Sequence, residues 1–245
     1  MNLLAFDTST EHLSAAVQRG DARFVYEGAG GAQSSATLIP ALMGLLAQAQ
    51  LALGDVQAIV FGRGPGSFTG LRTACAVAQG LAFGARARSG ASADDALPVL
   101  PLDTLLAVAE AARLSHGSTR VLAWLDARMG EVYAAAYEWT GDAWHTHAAP
   151  FVCPPAALAL PGSAAQADGW ALAGNAFAAY GEQLSPALAA LPRIDALPSA
   201  AALLSLAPAP LAAGRAVPAA QALPLYIRDK VALTTAERLA QGGVR

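Results

Sequence analysis

Two segments of this chain read alike. Residues 2–7 (NLLAFD) and 121–126 (VLAWLD) are apolar runs of strand length that close on aspartate, and Asp126 stands 119 positions after Asp7. The same shift lays Leu13-Ser14-Ala15-Ala16-Val17 over Val132-Tyr133-Ala134-Ala135-Ala136. Each aspartate is thus followed, after an equal gap, by a second apolar strand. A Gly-Asp turn comes next in both, Gly20-Asp21 and Gly141-Asp142. The repeat predicts two similar subdomains, each led by a β-hairpin. The competing reading is chance overlap in an alanine-rich sequence.

Around the first copy the pattern predicts strands at 3–8, 13–18 and 22–27, joined by short turns. A helix over 36–51 follows, with Leu38, Leu42, Leu45, Leu46 and Ala49 on one stripe and Ile39 and Met43 beside it. That apolar arc is wider than one core-facing side needs. Pro40 belongs near the first turn or bends the helix. A strand at 57–62 leads into a helix at about 69–84, then a brief strand at 99–100 and a helix at 102–114. The stretch 86–96 is polar and loop-like. Residues 150–220 are rich in Pro and Ala and carry no readable motif. Short helices at 177–184 and 199–206 and a strand at 170–173 are expected there, and a frayed tail beyond about Glu237.

The stretch Gly62–Arg72 (GRGPGSFTGLR) has four glycines between a strand and a helix, the layout that cradles phosphates. The known phosphate motifs nevertheless fail on chemistry. A P-loop needs a lysine after its last glycine, but Gly70 is followed by Leu71, and the chain's one lysine is Lys230. The dinucleotide fingerprint lacks its third glycine, and the next acidic residue is Asp94. Ser67 directly follows Gly66, which breaks the nucleophile-elbow spacing. Two roles remain open: a tight turn with Ser67 or Thr69 capping the helix, or an anion contact at the helix N-terminus. The helix itself carries small residues on nearly every face (Thr73, Ala74, Cys75, Ala76, Ala78, Gly80, Ala82), so it reads as buried on two sides, by its own sheet and by something else.

Composition closes off other classes. A net charge of −3 and a pI near 5.8 lack the basic footprint of a stand-alone nucleic-acid binder. Cys75 and Cys153 stand alone and read as free thiols. The four histidines, His12, His116, His145 and His147, form no HxxxH or HExxH pair, so no metal site is expected. No run reaches membrane-spanning length and no leader pattern opens the chain, so the expectation is a cytoplasmic protein. The loops Asp7-Thr8-Ser9-Thr10 and Asp126-Ala127-Arg128-Met129-Gly130 could face each other around Mg²⁺-bound ATP. The plainer reading is that their side chains satisfy hairpin amides.

Four strings, LLAFDTST at the start, GPGSFTGLR at 64–72, LDAR at 125–128 and PLYIRDKVA at 224–232, resemble the bacterial TsaB (YeaZ) family, in order along essentially the whole chain. The resemblance implies an α/β fold of the actin/Hsp70/sugar-kinase (ASKHA) type with two ribonuclease-H-like subdomains. The expected division is 1–105, with 218–245 as a candidate return to it, and 106–217. It also implies a non-catalytic partner of TsaD, which transfers a threonylcarbamoyl group to the adenosine beside the tRNA anticodon. TsaE would join a larger complex, tRNA would be met only through that complex, and the chain alone would form a homodimer. The chain itself would need no cofactor, and the partner interface is a candidate place for ATP or ADP.

Carried over by position, the docking helices are 36–51 and 70–84, and the expected interface residues are Leu42, Met43, Leu46, Arg72, Ala74 and Ala78. The candidate anion contacts are Asp7, Thr8, Ser9, Gly66, Ser67 and Asp126. The helix after the glycine turn has no histidine, where TsaD-like chains carry a metal pair. That departure argues against the "peptidase M22" label such sequences attract. The alternatives are an ATP-dependent phosphotransferase of the same fold and, least favoured, a metallopeptidase.

Overall fold

The computed structural model describes residues 1–87, 97–162 and 168–228. The expected loop at 86–96 therefore lies mostly outside the described residues, as does the tail beyond Arg228.

Three strands open the chain, β1 (Asn2–Asp7), β2 (His12–Arg19) and β3 (Ala22–Ala29), followed by α1 (Ser34–Gln48), β4 (Ala58–Gly64), α2 (Phe68–Ala87) and β5 (Val99–Asp103). Helix α3 (Thr104–His116) leads into β6 (Arg120–Arg128), β7 (Glu131–Trp139), β8 (Trp144–Cys153) and β9 (Trp170–Gly174). Short elements complete the order: α4 (Phe177–Tyr180), α5 (Pro186–Ala189), β10 (Arg193–Asp195), α6 (Ala200–Leu206) and α7 (Pro208–Ala212).

The repeat is real at the level of topology. One sheet has the order β3-β2-β1-β4-β5 and the other β8-β7-β6-β9-β10. In each, the first three strands form an antiparallel meander, and the fourth and fifth add in parallel beside the first. This is the doubled ribonuclease-H-like arrangement. The register differs by one residue. Asp7 pairs with Ser14, whereas Asp126 pairs with Val132, not with Tyr133 as the 119-residue shift predicts, and a bulge follows Asp126.

Leu38, Leu42, Leu45 and Leu46 of α1 and Ala74, Ala78 and Ala82 of α2 pack with Phe6, Leu13 and Ile59 on one face of the first sheet. Each buried leucine contributes about 1.5–3 kcal/mol. Helix α1 is one turn shorter than expected at its C-terminus, where Gln50 turns left-handed (φ 54°). Pro40 lies well inside α1, on its exposed side, where the carbonyl that loses its helical donor meets water.

Helix α3 joins the two halves. Leu105, Val108 and Ala109 pack on the second sheet, while Ala107 packs with α6 against the first. Glu110 of α3 is buried, and burial alone would push its carboxyl up. Hydrogen bonds from Arg113, Ser205 and Trp144 (2.6–2.9 Å) outweigh that and hold it below the usual carboxylate range.

Candidate functional site

The glycine turn is filled by the chain's own backbone. The Ser67 amide donates to the Ser9 carbonyl (2.7 Å), and the Thr8 hydroxyl donates to the Gly70 carbonyl (2.8 Å). A Cβ on Gly70 would lie 1.9 Å from the Thr8 carbonyl oxygen, and one on Gly66 would lie 2.5 Å from that of Ser9. Glycine is required here so that the turn can press against the β1–β2 hairpin. Gly62 has a different neighbour: its Cβ would fall 1.7 Å from Asp7 Oδ2.

Asp7 is wholly buried. Its Oδ1 accepts from the Ser9 amide (2.8 Å) and hydroxyl (2.6 Å), and its Oδ2 has no hydrogen-bond partner among the described residues. Burial pushes its carboxyl up to about 6, against the pull of the two Ser9 bonds. Thr8 is also buried. Of the expected anion contacts, Asp7 and Thr8 therefore sit behind the surface. Ser9, Gly66, Ser67 and Asp126 line a cleft of about 290 Å³ between the two halves.

The opposite wall of that cleft is the β6–β7 turn. Asp126 Oδ1 accepts from the Arg128 amide (2.7 Å) and the Tyr180 hydroxyl (3.1 Å), so it satisfies its own turn, as the plainer reading held. Arg128, Met129 and Gly130 all have positive φ (61°, 58° and 75°). Arg128 reaches across the cleft to Glu11 at 2.9 Å. A long, charged side chain thus stands where a phosphate would need small residues.

On the helical face, most of the expected interface residues point inward. Leu42, Leu46, Ala74 and Ala78 are buried in the chain's own core, because the stripe they share is the one facing the sheet. Only Met43 (48% exposed) and Arg72 of the six face outward. Two further large apolar side chains exposed on these helices are Ile39 (45%) on α1 and Phe83 (44%) on α2. Gly44, Gly80 and Gly84 lie on the same outer faces, and a Cβ on any of them would meet nothing within 4 Å. Glycine inside a helix costs about 1 kcal/mol relative to alanine, and the packing of the described residues gives no reason for these three.

The sequence reading also missed a terminal strap over 222–228, visible beforehand only as the PLYIRD string. Two cross-strand contacts set histidines against carboxylates, His147 Nε2–Glu138 (2.7 Å) and His12 Nε2–Glu27 (2.6 Å). Among the described residues no group of three or more His, Cys, Asp or Glu is placed to hold a metal. No helix among them is long and apolar enough to cross a membrane.

Residues 30–236 match the family model described as TsaD: tRNA N6-adenosine threonylcarbamoyltransferase. The Escherichia coli protein named tRNA threonylcarbamoyladenosine biosynthesis protein TsaB is 32% identical over 239 residues, 95% of this chain and 96% of that one. Its Haemophilus influenzae namesake is 35% identical over 240 residues, 94% of this chain and 95% of that one. The chain belongs to the TsaB family. A crystal structure from Pseudomonas aeruginosa, described as similar to peptidase YEAZ, superposes with a TM-score of 0.82 at 39% identity, covering 93% of this chain and 99% of that one. A YeaZ structure from the same organism gives 0.80 at 38%, covering 92% and 99%. The two Pseudomonas aeruginosa structures share the α/β, two-subdomain ASKHA-like fold seen here.

Proposed function

We propose that this TsaB-family chain acts in tRNA threonylcarbamoyladenosine biosynthesis as a non-catalytic subunit that binds and activates TsaD. The observation that carries the reading is the outer face of α1 and α2. It combines exposed Ile39, Met43 and Phe83 with Gly44, Gly80 and Gly84, glycines that nothing among the described residues explains. Large apolar side chains beside bare backbone suit close packing by helices of another protein. The cleft supports the same reading from the other side. Its glycine turn is occupied by Ser9 and Thr8, and Arg128 spans it.

On this reading the chain works in the cytoplasm and docks on TsaD through α1 and α2. In TsaD's absence it pairs with itself on that face. It meets tRNA, TsaE and any ATP or ADP only in or at the assembled complex. The test is reconstituted threonylcarbamoyl transfer to tRNA. TsaD's rate should rise on adding this chain to equimolar ratio, while the chain alone gives no product. Transfer by the chain alone, or a TsaD rate indifferent to it, would overturn the proposal.

A further inference from the structure

Residues 222–228 run as a strap across both halves of the molecule. On the first half, the Leu225 amide donates to the Arg63 carbonyl (2.7 Å). The Cys75 thiol and the Gln79 amide both donate to the Ala222 carbonyl (2.8 and 3.0 Å). Tyr226 packs on Phe68 with ring centroids 5.3 Å apart, and its hydroxyl accepts from Arg72 Nε (3.1 Å). On the second half, Ile227 packs against the core beneath the sheet. Arg228 donates to the Ala127 carbonyl (3.0 Å) and the Arg128 carbonyl (3.3 Å) and pairs with Glu131.

The guanidinium thus grips both ends of the left-handed β6–β7 turn. Non-glycine residues hold that conformation only when their surroundings impose it. The Arg228 side chain is 14% exposed, so water competes little for these bonds. The other tie over the cleft, Arg128–Glu11, is exposed on both sides and weak by comparison.

We infer that the strap is a latch: anchored on the α2 end of the first half, it holds the cleft between the halves at its present aperture through Arg228. Helix α3, packed on both sheets, is the element about which the halves would part once the latch is released. The inference concerns the isolated chain and does not depend on the role proposed with TsaD.

Spin labels at Asp21→Cys and Asp142→Cys, in a Cys153→Ser background, mark the exposed turns at equivalent places in the two sheets, with Cys75 buried. Neither label touches the strap. With the labelled chain diluted in excess unlabelled chain, so that distances within one chain are read, the latched chain should give one narrow distance distribution, and Arg228→Ala a broader one with a displaced mean. An unchanged distribution in folded Arg228→Ala would overturn the inference. If Arg228→Ala does not fold, Arg72→Met with Tyr226→Ala, which frees the exposed first-half anchor, decides by the same readout.

Discussion

The first half covers one face of its sheet with α1 and α2, of 15 and 20 residues. The second half, on the same topology, has α4 and α5, of 4 residues each, as the only α-helices between its fourth and fifth strands. The strand-end aspartates diverge as well. Asp7 is sealed under the glycine turn, whereas Asp126 lines the cleft and organises an arginine-bearing turn. The difference teaches that a duplicated sheet fixes the frame and leaves the covering free. In this chain the exposed apolar side chains and bare glycines of the helical covering lie on the first half, and Thr8, Ser9 and Arg128 fill or span the turns that border the cleft.

The sharpest way to break this comparison is to confuse core with face. Ala78→Arg puts a charge into the first core and should cost more than about 4 kcal/mol, unfolding the chain in a thermal melt. If it folds normally, α2 is not packed as described. The two aspartates come next. The Asp7 carboxyl, at about 6 when folded against 3.8 in its ordinary state, binds its proton more tightly in the folded chain. Its contribution is therefore full below about pH 4 and lost as pH rises through 6, a difference of about 3 kcal/mol. Denaturant melts at pH 4 and 7 should show that loss in the wild type and not in Asp7→Asn. Asp126→Asn, at a partly exposed site, should change stability by less than about 1 kcal/mol. The smallest effect is the most specific. Gly80→Ala should raise the stability of the isolated chain by about 0.5–1 kcal/mol while weakening association, a trade that an internal packing role would not produce.

Much of this architecture was legible in the sequence, because periodicity and repeats report on long elements. The 119-residue echo from Asp7 to Asp126 carried the two sheets, and the leucines of α1 carried its buried stripe. The outward residues were not legible. An apolar arc wider than one face does not say which side meets the sheet. The leucines and alanines chosen for docking went inward, leaving Ile39, Met43 and three glycines outside. The glycine string read as a tight turn or an anion contact and did not show that Ser9 and Thr8 fill it, since that contact spans some sixty positions. Strand β10 and helices α5 and α7 escaped because three to five residues carry no period, and both helices open on proline. The role of Arg228 depends on a contact about a hundred residues away.

The most direct test of the account is light scattering on size-exclusion fractions of the chain mixed with TsaD, comparing wild type with Met43→Arg/Phe83→Arg. Both substituted positions are exposed, so the variant should keep the wild-type melting temperature within the effect of a surface change of about 0.5 kcal/mol. The account predicts a heterodimer mass for the wild type and two separate species for the variant. A variant that still forms the heterodimer would contradict it.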